Sequence, residues 1–347
     1  LKLAWLMTLT AGITRLLRTI FAWPLALAAA MIRRIVAPPR LETEEAGPWH
    51  APGKEPTKLV EASAMAAIFS SLNPPVDEVG ALAAVMPELA GRPLEPPAFF
   101  RTGWRMGQRF GAEDDPDRTR EAWLPPEGFF GQDTAAAQRA MAVSEELPVR
   151  CAKGSFARVV RRVFTEEACA ALLASVNAKG FTPALLNIGG GVQELRPEVR
   201  DGHRVIVDSP ELAAWLLDVL RPHLPQEFGG GPLMGLNERL RFLCYTPGQA
   251  FEPHYDGCYR RPQGHPRVGD RSLVTVQVYL HDVPTGFGGA TTFDPNRSYS
   301  LACQPEMGTV LVFSQDLFHE GSEVTGGLKY TLRTEAMYEP PDPRRKR

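Results

Sequence analysis

The chain has 347 residues, 44% hydrophobic and 22% charged, enough apolar material for one large or two smaller folded domains. Lys and Arg number 38 against 40 Asp and Glu, a formal net charge of −2, which argues against a chain that works by coating nucleic acid. Five cysteines without a C-x-x-C pair exclude a disulfide scaffold and a structural zinc site.

Residues 1–41 contain Lys2, Arg15, Arg18, Arg33, Arg34 and Arg40 and no acid, so the rest of the chain carries −8. Within them, residues 19–32 form an uncharged apolar run of 14 residues, short for a bilayer span of ~20. That length suits a signal-peptide core, and Ala28 and Ala30 offer an A-x-A cleavage site. The expectation is a targeting or membrane-anchor-like segment. An endomembrane signal or anchor is favoured over an organellar presequence or a cytoplasmic amphipathic helix. Residues 42–149 read as a Pro-rich linker, since 14 of the chain's 32 prolines fall between residues 38 and 126. Two short Ala-rich helices are expected there, over 57–72 and 76–89.

A compact domain is expected over 150–347. Residues 155–164 read as a strand. A helix follows, capped by Thr165, with Glu166 and Glu167 at its positive end and Gly180 as its stop. A second helix begins at Ser209-Pro210 and should bury Leu212, Trp215, Leu216, Val219 and Leu220. Beyond Pro225 six strand-like runs follow, over 239–245, 272–281, 290–293, 299–303, 309–314 and 329–338. Helices followed by short strands give an α+β class, built on an antiparallel barrel or jelly roll with flanking helices.

The chemistry gathers in the β region. His254-Tyr255-Asp256 places a His and an Asp two residues apart, on one face of an extended chain, where both can meet one ion. His319 supplies a third ligand after a later strand. Two His and one carboxylate with open positions opposite is the ligand set of non-heme Fe(II) oxygenases, and zinc can use the same three. His281-Asp282 is adjacent, so its side chains diverge, and His50, His203, His223 and His265 have no carboxylate two residues on. In the last strand Lys329, Thr331 and Arg333 alternate with Tyr330, Leu332 and Thr334. In the 272–281 run Thr275, Gln277 and Tyr279 alternate with Val274, Val276, Val278 and Leu280. Each strand thus has a polar face for a lumen and an apolar face for a core.

These residues belong to a series of motifs. Y-x-x-G-x-x-F-x-P-H-x-D runs from Tyr245 to Asp256, V-Y-L-x-D-V from Val278 to Val283, and G-G-A-T-x-F from Gly288 to Phe293. P-x-x-G follows at Pro305 to Gly308, then His319 and V-x-x-G-x-K from Val324 to Lys329. In this order they resemble the catalytic domain of prolyl 4-hydroxylase-type Fe(II)/2-oxoglutarate dioxygenases, over roughly 236–340. The resemblance implies a double-stranded β-helix, with His254, Asp256 and His319 as iron ligands and Lys329 for the distal carboxylate of 2-oxoglutarate. Tyr245 and Tyr279 would line the co-substrate pocket, and Arg333 would contact co-substrate or substrate. It further implies hydroxylation of an unactivated C–H, peptidyl proline among the candidates, with O2 consumed, succinate and CO2 released, and ascorbate as auxiliary. An oxygenase of the same fold acting on another side chain or a small molecule, or a zinc-binding or non-catalytic jelly roll, stands as the alternative. The partner is a peptide or small molecule and not a nucleic acid; membrane anchoring would come through residues 1–41. The Arg-bearing stretch 257–271 reads as a solvated loop ahead of a mobile lid, and Arg344–Arg347 as a basic tail.

Overall fold

The computed structural model describes residues 134–341 continuously, together with 88–89, 92–93, 97–111, 114–116, 122–126 and 129–130. All lie in the compact unit Pro75–Arg347. The expected targeting segment, the helix over 57–72 and the basic tail fall outside the described residues.

The early elements are β1 (Glu88–Leu89), β2 (Arg92–Pro93), β3 (Arg109–Phe110), α1 (Thr134–Met141), β4 (Val143–Glu146), β5 (Ala157–Arg161) and α2 (Glu166–Lys179). Next come β6 (Thr182–Pro183), β7 (Leu186–Gly189), β8 (Val192–Glu194), β9 (His203–Asp208), α3 (Pro210–Leu220), β10 (Glu227–Phe228) and β11 (Gly231–Leu236). The last set is β12 (Arg239–Tyr245), β13 (Phe251–His254), β14 (Arg271–Tyr279), β15 (Thr291–Phe293), β16 (Leu301–Cys303), β17 (Val310–Ser314), β18 (His319–Gly321) and β19 (Lys329–Tyr338).

Two antiparallel sheets make the jelly roll. The larger runs β4-β5-β17-β14-β19-β12-β9-β6, with β11 and β10 attached at β19, and the smaller runs β13-β18-β15-β16. The alternation in β14 and β19 decides which face is which. Val274, Val276 and Val278 with Tyr330, Leu332 and Ala336 join Leu172, Leu173, Leu212 and Leu216 of the helices in the main core. Tyr279, Phe293, Leu311 and Phe313 fill a second core in contact with the smaller sheet.

Helices α2 and α3 start as their caps dictate, and α2 stops at its glycine. The Thr165 hydroxyl accepts from Ala168 N at 3.2 Å, and that of Ser209 from Leu212 N at 3.3 Å, satisfying N–H groups the first turn leaves free. Gly180 ends α2 at φ +79° with Phe100 packed against it, so a Cβ there would meet the ring at 2.4 Å. Trp215 is half-buried, lying against Phe164 at 5.1 Å and Phe129 at 5.7 Å.

Of the helix expected over 76–89 only Glu88–Leu89 are described, and they pair with Arg92–Pro93; residues 76–87 lie outside the described residues. Two expectations need correction. The large sheet recruits chain ahead of residue 150: β4 pairs with β5, and Trp123 is buried in the main core. The stretch 257–271 is pinned. Arg261 is buried and paired bidentately with Glu238 at 2.7 Å, while Arg267 donates to Met234 O and Arg271 to Gly229 O. All five cysteines are free, with Cys151 and Cys258 exposed and Cys169, Cys244 and Cys303 buried. No helix among the described residues is long and apolar enough to cross a membrane.

Candidate metal centre

The smaller sheet brings the three candidate ligands together. β13 ends at His254, whose register partner across the sheet is His319 on β18, and Asp256 follows His254 by two residues. One ligand atom from each lies within 4.8 Å of the others. Asp256 Oδ1 is 3.7 Å from His254 Nε2 and Oδ2 is 3.8 Å from His319 Nε2. Each imidazole is oriented from behind: Nδ1 donates to Glu252 O at 2.7 Å in His254 and to Leu317 O at 2.9 Å in His319. The Nε2 lone pairs therefore face inward, the arrangement that fixes a metal-binding tautomer. Burial pushes the His319 pKa down to about 4, so its imidazole is neutral near pH 7.

Asp256 is held on both oxygens. Thr275 Oγ1 donates to Oδ2 at 2.5 Å and Arg333 Nη2 to Oδ1 at 2.7 Å. Burial alone would raise its pKa, but the Arg333 guanidinium outweighs it and holds the carboxyl well below the usual carboxylate range. Arg333 is also 3.3 Å from Glu335 Oε1, which Arg241 reaches at 2.8 Å, while Asn237 donates to Oε2 at 2.9 Å. Arg333, expected to contact co-substrate or substrate, thus lines the pocket while paired with two carboxylates of the chain itself.

Lys329 opens the opposite wall. It is buried, reaches only Ala290 O at 3.5 Å, lies 5.6 Å from the Tyr245 ring centre, and has no carboxylate partner among the described residues. Burial pushes its pKa down to about 8. The Thr331 hydroxyl beside it is buried without a hydrogen-bond partner. Gly321 keeps the space clear, since a Cβ there would lie 3.4 Å from Phe251 Cβ and 4.0 Å from Lys329 Nζ. A buried cation, an orphaned hydroxyl and an open cradle fit a carboxylate-bearing co-substrate, and the His-Asp-His donor set fits a first-row divalent metal with positions left open.

Tyr245, Lys329 and Arg333 line this pocket together with the three ligands. Tyr279 stands behind it, its hydroxyl donating to Thr291 Oγ1 at 2.9 Å, and Thr291 reaches the pocket wall in its place. Thr291, Phe251 and Arg200 also line the site; Phe251 and Thr291 are fixed letters of the motifs above, whereas Arg200 carries no local sequence signal that singles it out. Their membership depends on the bridge between Arg200 and Phe251 and on the pairing of β15 with β18.

Comparison with known proteins places this geometry. Residues 240–334 match the 2OG-Fe(II) oxygenase superfamily. That segment resembles 2OG-Fe(II) oxygenase domains of the prolyl 4-hydroxylase type. An Arabidopsis thaliana protein named probable prolyl 4-hydroxylase 10 is 33% identical over 109 residues, 26% of this chain and 36% of that protein. The chain thus spans about a third of the length of that relative. Among solved structures, a viral collagen prolyl hydroxylase from Paramecium Bursaria Chlorella virus-1 is 21% identical, covers 52% of this chain and 95% of its own, and has a TM-score of 0.38. A Pseudomonas putida prolyl-4-hydroxylase is 18% identical, covering 60% and 100%, with a TM-score of 0.39.

Proposed function

We propose that the chain is an Fe(II)- and 2-oxoglutarate-dependent dioxygenase that hydroxylates an unactivated C–H bond, with peptidyl proline the first substrate class to test. The carrying observation is that the His254-Asp256-His319 cluster shares one pocket with the Lys329 cation, which has no carboxylate partner among the described residues. When bound, Fe(II) with 2-oxoglutarate and O2 supplies the oxidative chemistry, releasing succinate and CO2. His254, Asp256 and His319 would hold the metal, and Lys329 with Thr331 would orient the distal carboxylate. Val324 and Leu243 with Tyr245 form the apolar cluster beside it. Ascorbate would serve as reductant for oxidised metal. A zinc-binding jelly roll accounts for the three ligands but gives Lys329 nothing to do.

The test uses the full chain, loaded anaerobically with Fe(II). Adding 2-oxoglutarate should give a weak visible charge-transfer band, and admitting O2 should give succinate, both lost in His254→Ala. Tight zinc with no band and no succinate would sink the reading. Proline peptides that raise succinate yield and gain one oxygen by mass would establish the substrate class.

A further inference from the structure

Four charges at the site cancel as a set. Asp256 and Glu335 face Arg333 and Arg241 through contacts of 2.7 to 3.3 Å. Two cations of the pocket, Lys329 and Arg200, form no ion pair among the described residues, and Glu320, which also lines it, accepts from Ser322 Oγ at 2.8 Å. Arg200 lies on the segment that bridges to Phe251, its guanidinium 4.8 Å from the Phe251 ring centre. That ring in turn stacks on His254 at 3.7 Å and 19°. Nη1 reaches Leu185 O at 3.3 Å, and Nε is buried with no hydrogen-bond partner. Around it stand the Tyr245 hydroxyl and two groups of like charge, Arg333 and Arg241; burial and those two charges lower its pKa. A half-buried guanidinium beside two like charges is costly, and an arriving anion offsets that cost. Its planar edge suits a carboxylate.

We propose that Arg200 is the cation of a second carboxylate subsite in this pocket, in addition to the one at Lys329. The proposal rests on the oxygenase reading only for what occupies Lys329. Two sources share the chemistry. The distal carboxylate of 2-oxoglutarate would be shared by Lys329 and Arg200, which line the same pocket. Alternatively, the substrate carries its own carboxylate, an acidic side chain or chain end near the carbon that reacts.

The experiment titrates the full chain, loaded with Mn(II) without O2, with 2-oxoglutarate and with pyruvate, which has the same keto-acid end but no distal carboxylate. If the co-substrate is the source, Arg200→Gln weakens 2-oxoglutarate at least tenfold, leaves pyruvate within twofold, and Arg200→Lys recovers part of the loss. If the substrate is the source, 2-oxoglutarate binding holds. With Fe(II) and O2, Glu-containing proline peptides then stimulate succinate at least tenfold over matched Gln peptides, and Arg200→Gln erases that ratio. Equal weakening of both keto acids, or no effect in either arm, overturns the subsite. A wild-type chain that binds neither keto acid sinks the oxygenase reading instead. Glutarate added to the metal-free chain then decides the subsite alone, a rise in Tm that Arg200→Gln abolishes supporting it and an unchanged Tm overturning it.

Discussion

Asp256 carries its two hydrogen bonds from opposite sides, Thr275 on Oδ2 and Arg333 on Oδ1, which fixes the plane of the carboxylate before any metal arrives. Glu335 and Arg241 balance Arg333, so that clamp brings little net charge to the centre. Partners of this kind are worth about 10–100-fold in metal affinity. Arg333→Met should therefore weaken Mn(II) or Co(II) binding by about that range, read by competition with a fluorescent chelator. Unchanged metal affinity with a raised 2-oxoglutarate KM would return Arg333 to the co-substrate. Lys329 makes a complementary prediction through pH. Its pKa is pushed down to about 8, and a carboxylate binds only the protonated amine. Affinity for 2-oxoglutarate should be flat below that value and fall about tenfold per pH unit above it. Lys329→Met should abolish the pH dependence together with most of the binding.

The elements around these residues were legible to different degrees, for physical reasons. β12 and β19 match their expected bounds, and α2 and α3 begin at the expected caps, because alternation and capping are local signals. β13 and β18 were not legible. One contains Pro253 and the other is three residues long with Gly321; both exist because they pair with each other, a long-range effect that propensity does not carry. β9 was missed too, although Val205 and Val207 face the core, since it is held as a strand by β12. At the site the His-x-Asp spacing is local and readable, whereas Arg200 enters only through its bridge to Phe251. The same contrast sets the stability expected of single elements. Thr165→Ala removes one cap bond and should cost about 1 kcal/mol. Leu216→Ala empties a fully buried position between α3 and the large sheet and should cost about 2–5 kcal/mol. Urea unfolding followed by circular dichroism compares the two, and a cap loss equal to the core loss would contradict this ordering.

In the molecule as a whole, the metal ligands come from the smaller sheet and its loop, while Lys329 and Arg333 come from β19 of the larger one. The site therefore exists only while the two sheets face each other, and whatever stabilises the larger sheet also holds the cations opposite the ligands. Chain ahead of residue 150 contributes to that stability. β4 lies at the edge of the sheet against β5. The Trp123 indole donates to Ser175 at 3.2 Å and meets the Phe242 ring edge-on at 5.7 Å, and its backbone N donates to Asp208 O at 2.8 Å. Truncating a buried Trp to Ala costs about 3–5 kcal/mol, so Trp123→Ala in the full chain should lower Tm clearly. A fragment of residues 150–347 loses the indole and exposes the β5 edge as well, so it should melt lower still and aggregate more readily through that open strand. Its metal affinity should fall with its stability and recover under conditions that restore the folded fraction, because all three ligands remain. A fragment that melts with the full chain's midpoint would show that residues before 150 dock on the sheet without stabilising it.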